Sequence, residues 1–295
     1  MRFTSKMFLP VLKKEIRYHH IDNSNFLTIL KFSINKDDEG LIQYFEWMIE
    51  ECLVDKDIFY RLTNLEKFLI FLDLRSVLIG DKLQLNSKTG NKIDLLISSI
   101  KNNIVNKIKE IDLIKIVNYS NITVHLTLPK SLNINNIDDL YYEIIDKVQI
   151  DDDIINFAEL KNFEKDGIIS SLPATLTEEM IKFITICQNL SNDINIISGN
   201  ERLGLENIPL RVFDTSLFHF MKSLLGDDLM NFYELQYNML NKIKLSNQHF
   251  MSITPNECKI LMNLYNEDMK RQEEAQKGNS SMPNMPSLPS MPKFK

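Results

Sequence analysis

Residues 63–79 most constrain what this chain can fold into. Read as a helix, they place Leu65, Phe68, Leu69 and Leu72 on one side and Phe71, Leu74 and Leu78 on another, so apolar surface wraps nearly the whole cylinder. Such a helix belongs at the centre of its domain or beneath a partner. Its start is set by Thr63 and Glu66, spaced as a capping box in which each satisfies the other's main-chain donor. The apolar stretch 68–79 is interrupted by Asp73 and Arg75 and is too short to span a bilayer. The remaining elements must therefore cover this helix, and a chain of 295 residues has room for them in about two domains.

The pattern supplies candidates for that cover. Ile16–Ile21 alternates like a strand, and an apolar run follows over residues 26–34. After Asp37-Asp38-Glu39, the residues Leu41, Ile42, Phe45, Met48, Ile49, Cys52 and Leu53 recur at helical spacing. Residues 83–85, 93–97 and 122–128 read as strands, with Ser87–Gly90 as a hairpin-like turn. The Lys-rich stretch 101–115 between them reads as a solvated face, with a phosphate-contacting patch as the alternative. Helices are expected over 138–148 and 152–163, then a break at Gly167–Pro173. Thr175 and Glu178 cap a further helix carrying Met180, Phe183, Ile184, Cys187 and Leu190. A strand at 194–197 leads through Gly199 and Gly204 into a helix closed by Gly226. The hairpin that follows is opened by Asp227 and Asp228, with Leu229, Phe232, Tyr233, Leu240 and Ile243 on one face, a link over 246–253, and a second helix started by Thr254-Pro255-Asn256-Glu257.

The expected fold class is α+β: mainly α-helical, with a small antiparallel β-sheet in the N-terminal half and a helical hairpin near the C-terminus. The expected division is an N-terminal α+β domain over 1–135, a helical domain over 136–226, the helical hairpin over 227–278 and a disordered Pro/Met-rich tail over 279–295.

Candidate chemistry is sparse. Cys52, Cys187 and Cys258 are scattered along apolar helix faces, which argues for reduced, buried thiols rather than a disulfide framework or zinc ribbon. His19 and His20 point to opposite sides of a strand and cannot chelate together. His125, His219 and His249 lack ligands at suitable spacing. The acidic clusters 37–39, 151–153 and 227–228 sit at expected helix starts. No phosphate loop, calcium loop or Gly-x-Ser-x-Gly motif occurs. No enzyme activity, cofactor or metal is expected. A net charge of -6 argues against nucleic acid, and the run Met7–Leu12 is too brief for a signal peptide, so a soluble, unexported protein is expected.

Two features point to partners. Trp47 lies with Gln43, Glu50 and Glu51 on the polar side of its helix, to be buried either by a partner or by a neighbouring element. In the tail, Pro283, Pro286, Pro289 and Pro292 form one stripe of a polyproline II helix, and Met282, Met285, Leu288 and Met291 form the next, before Lys293-Phe294-Lys295. A preformed extended ligand of this kind suits an apolar groove. A low-complexity terminus that merely tolerates Met and Pro is the plainer reading.

The order of several short runs resembles contractile-tailed bacteriophages of the T-even type. Leu229–Leu240, the basic Lys242 and Lys244, and Met251–Cys258 ahead of a charged helix end are similar to the baseplate hub assembly protein. Leu9-Pro10, Asp37–Gly40, Leu74–Val77 with Gly80, Leu126–Pro129 and Ser171–Pro173 are similar to the baseplate hub subunit. In better-known members these are separate proteins. Some hub subunits carry a paired-cysteine ribbon where this chain has Ser198-Gly-Asn-Glu201, so no metal is carried over. The resemblance implies a structural or assembly protein of the hub, acting through contacts with other baseplate hub or tail proteins. The alternative is a transient chaperone of tape-measure or hub proteins, absent from the virion. The places implied are the host cytoplasm during assembly and the virion tail baseplate.

Overall fold

A computed structural model describes residues 3–279 apart from 36, 79, 87–91, 110, 133–136, 194, 198–207, 210–215 and 225–227. The chain begins with an antiparallel hairpin, β1 (Thr4–Leu9) and β2 (Lys14–His19), turned through Lys13 at φ 52°. Two helices follow, α1 (Asn23–Asn35) and α2 (Asp38–Cys52). The Asp37 carboxylate accepts the Gly40 N–H at 2.9 Å, and a Cβ on Gly40 would stand 2.5 Å from that carboxylate, so the first turn of α2 needs glycine there. After a 3-10 turn (Lys56–Arg61) comes α3 (Asn64–Leu78), the helix singled out in the sequence.

Twelve of the fifteen residues of α3 are buried, which answers the question of what covers its apolar circumference: neighbours within the chain do. It packs against α2, against α4 (Ile97–Ile108) and against α11 (Pro255–Asn279). Phe45 of α2 meets Phe71 edge-on at 5.0 Å. Each charged residue of α3 is matched to a group on a different neighbour. Glu66 accepts from the main-chain N–H of Val11 (3.1 Å) and Leu12 (2.8 Å) at the hairpin tip, and from Thr63. The Lys67 ammonium donates to Glu46 at 2.8 Å and sits over the Phe59 ring. Asp73 accepts from the Tyr18 hydroxyl and the Lys101 ammonium. Arg75 donates to the carbonyls of Leu224, Gly80 and Lys82. Apolar contacts supply the energy; these pairings fix the register.

Beyond α3, β3 (Lys82–Asn86) and β4 (Lys92–Leu96) pair antiparallel; the turn expected at 87–90 lies outside the described residues. Of the Lys-rich stretch, Lys107 lies on α4, which buries Ile100, Ile104 and Ile108; Lys101 is tied to Asp73, and Lys115, beyond the helix, to Glu179 at 2.6 Å. A four-stranded antiparallel meander follows: β5 (Ile114–Tyr119), β6 (Ile122–Thr127), β7 (Ile145–Ile150) and β8 (Asp153–Asn156), with α5 (Ile137–Ile144) between β6 and β7. Val124, Leu126 and Val148 are fully buried on one face. This sheet joins residues from both sides of position 135.

Two helix expectations and one expected break are corrected in this region. The stretch 138–148 changes at Ile145 from helix to strand, because Val148 pairs with Val124 on one side and Ile155 on the other. Residues 152–156 are a turn and strand rather than a helix start. Asp151 takes φ 54° at the hairpin tip, and its carboxylate accepts from Asn121. Gly167 lies inside α6 (Asn162–Ser171), not in a break, and α6 buries no residue.

Helix α7 (Ala174–Asp193) starts one residue before the expected Thr175 cap, with the Pro173 carbonyl accepting from Leu176 and Thr177. Met180, Phe183, Ile184 and Cys187 form its buried stripe against β5 and β6; the side chain of Leu190 lies outside the described residues. The short strands β9 (Asn195–Ile197) and β10 (Ile208–Pro209) pair antiparallel. Gly199, Gly204 and Gly226 lie outside the described residues. Helix α8 (Ser216–Ser223) precedes the C-terminal hairpin of α9 (Asp228–Asn241) and α11. Its expected link instead holds a third helix, α10 (Asn247–Ser252), capped by Ser246. The core of α9 is Phe232 and Met239, while Tyr233, expected to share it, is 43% exposed. The hairpin closes on α1: Asn23 donates its main-chain N–H to Ile253 and its amide to the Phe250 carbonyl at 2.8 Å.

Candidate interaction surfaces

Most charged groups inside the molecule tie one element to another. Glu66 is pushed above the usual carboxylate range by burial, although four donors pull the other way. Burial and the adjacent Asp73 raise the Tyr18 hydroxyl. The His20 Nε2 lies 2.8 Å from Ser5 Oγ, and burial lowers its affinity for a proton. Cys52, Cys187 and Cys258 are buried and form no disulfide, and burial pushes the Cys187 thiol up to about 12. A thiol so held stays mostly protonated at neutral pH. Among the described residues, no group of three or more His, Cys, Asp or Glu could hold a metal ion, and no helix is long and apolar enough to cross a membrane.

Apolar groups that face outward are organised. On α2, Trp47 is 44% exposed and stands 5.1 Å from the Tyr44 ring, which in turn lies 5.6 Å from Phe32 of α1. The Tyr44 hydroxyl donates to Asn25 at 2.9 Å, so the ledge on which Trp47 rests is held in place. Of the two settings open to Trp47 in the sequence, the chain's own neighbours cover about half of it. On α9, Met230 (68% exposed), Tyr233 and Tyr237 (65%) recur at i, i+3 and i+7, opposite the core stripe of Phe232 and Met239. On α11, Ile260 and Leu264 likewise face away from buried Cys258. The sequence contains this signal, since a second apolar stripe sits half a turn from the first, and the expected face of α9 mixed the two by including Tyr233. The tail residues Met282, Pro283, Met285, Pro286, Leu288, Pro289, Met291, Pro292 and Phe294 lie outside the described residues.

Inner charged groups spent on closure, with apolar stripes turned outward on α9 and α11, suit a part in an assembly. Residues 1–202 match the family of the T4 bacteriophage base plate protein, and the chain belongs to that family. No curated protein and no solved structure matches it. It is therefore a structural baseplate protein whose partners are other phage tail proteins. The α9–α11 hairpin lies beyond the matched residues.

Proposed function

We propose that this chain is a component or assembly factor of the central hub of the baseplate, acting through protein contacts and without catalysis. The observation that carries the reading is the solvent-facing stripe of Met230, Tyr233 and Tyr237 on α9, opposite a well-packed core face. Large aromatic side chains held on a fixed helix bind partners at low entropic cost and dominate interface energetics. The stripe falls within the stretch that resembles the hub assembly protein. Trp47 supplies a second anchor, and the Met/Pro tail a third.

The test is assembly in phage-infected cells. Tyr233→Ser together with Tyr237→Ser should leave a folded protein, because both side chains face solvent, yet lower the yield of infectious particles at least tenfold. Deleting residues 280–295 should do the same. Normal yields from both variants would overturn the reading. Mass spectrometry of purified particles separates a resident hub part from a transient chaperone of tape-measure or hub proteins, since only the former is retained.

A further inference from the structure

A cavity of about 190 Å³ opens where α1, α3, α9 and α11 meet, lined by Asn23, Phe26, Leu78, Phe232, Leu235 and Lys259 among others. Its walls are mainly aromatic and aliphatic. Asn23 is fully buried. Its amide nitrogen donates to the Phe250 carbonyl and to Cys258 Sγ, but its Oδ1 has no hydrogen-bond partner. That oxygen is enclosed with the rest of the side chain, so what the cavity presents to an occupant is mainly its apolar wall. An apolar side chain on an extended peptide suits such a wall.

We propose that the occupant is this chain's own tail, with Leu288 or Met291 in the cavity. Helix α11 forms one wall through Lys259 and ends at Asn279. Those twenty residues of helix measure about 30 Å at the helical rise per residue. An extended polyproline II segment retraces about 30 Å in roughly ten residues, which brings the chain from Asn279 back to the cavity near Leu288 and Met291. The triplet repeat adds a second advantage: a slip of three residues presents another Met or Leu to the same cavity. A tether this short gives an effective concentration on the order of millimolar, so one modest contact suffices for occupancy. This inference rests on the reading of the tail as a docking ligand. A seat in cis keeps the tail covered until a baseplate partner competes for it.

Methyl NMR of the full chain labelled at methionine tests this. The Phe26 and Phe232 rings, 6.0 Å apart, should move the Met291 methyl upfield of its position in a free 280–295 peptide. Leu288→Met should add a second displaced methyl. Leu235→Phe should fill the cavity and return the tail methyls to their free-peptide positions, while buried Met48, Met180, Met221 and Met239 report that the fold is intact. If that variant fails to fold, a spin label at Lys259→Cys should still broaden Met291 in the otherwise unaltered chain. Tail methyls at free-peptide positions would overturn the inference, as would a displacement that appears only at high protein concentration, the mark of a second copy, or only after a baseplate partner is added. Assembly lost on tail deletion with undisplaced methyls would remove the seat and leave the hub reading standing. Displaced methyls with normal assembly would do the reverse for the tail.

Discussion

Helices α3 and α11 open with the same device and end in opposite surroundings. Thr63 and Glu66 bond reciprocally at the start of α3, and Thr254 and Glu257 do so at the start of α11, with the main-chain bond to the Thr hydroxyl at 3.3 Å and 3.2 Å. In α3 the Glu carboxylate also accepts from Val11 and Leu12, and the helix then runs through the core. In α11 the carboxylate serves the cap alone, and Met269–Glu274 are exposed. A capping box thus tells where a helix starts and nothing about what will surround it. Circumference decides that: α3 is apolar all round, and α11 has one buried stripe that fades within three turns.

The sharpest way to break the contrast is to cut the core face of α3. Phe68→Ala should cost about 3–5 kcal/mol, because the side chain is fully buried and its neighbours cannot collapse onto the void. Leu264→Ala on α11 should stay within about 0.5 kcal/mol, being half exposed. Urea unfolding monitored by circular dichroism reads both, and equal losses would end the distinction. Next come the two glutamates. Glu66→Ala strands the donors of Val11 and Leu12 and should cost about 2–3 kcal/mol, whereas Glu257→Ala should cost about 1 kcal/mol or less. Similar losses would mean that the hairpin-tip bonds contribute little.

The smallest effect concerns pH. His20 is buried beside Ser5, with Asp73, Glu257 and His19 as the charged or titratable groups facing it. Burial is the leading cause of its lowered pKa, so the folded protein binds the proton less readily than the unfolded chain. Its contribution is complete above the ordinary histidine value of 6.5 and is lost as pH falls through that value toward the folded one. His125 is lowered in the same sense by burial and Lys147. Unfolding midpoints measured from pH 7.5 to 5 should therefore fall less steeply in His20→Gln than in the parent chain. Parallel slopes would show that His20 is not responsible.

What the sequence revealed follows from which forces were local. The centrality of α3, the buried stripes of α2 and α7, the three buried cysteines and the Thr254 cap all came from spacing within one helix. The errors fell where partners distant in the chain decide. Residues 145–148 continue a helical pattern, yet become strand because β6 and β8 offer pairing on both sides. Asp151–Asp153 looks like a helix start, since acidic residues suit that place, but the same residues suit a turn whose Asp151 accepts from Asn121. Of the outward-facing groups, Trp47 was legible as an aromatic among polar residues, and the proposed role of the tail rests on the sequence alone. The outward stripe of α9 was masked by assigning Tyr233 to the core, because aromatic residues at helical spacing look alike on either face.

Asn23 also sets a timetable. Its partners Phe250 and Cys258 follow it by 227 and 235 positions. At ribosomal rates of about 5–20 residues per second, roughly 11–45 s pass between the synthesis of the residue and that of the first partner it needs. During that interval α1 has no C-terminal hairpin to close on, and Phe26, destined for the Phe232 ring, stays uncovered. The nascent chain is thus unable to complete its own scaffold until nearly all of it has been made, and the outward stripe of α9 emerges only shortly before closure. Trp47, on α2, is by contrast made early, so the order of translation holds back only the α9 stripe.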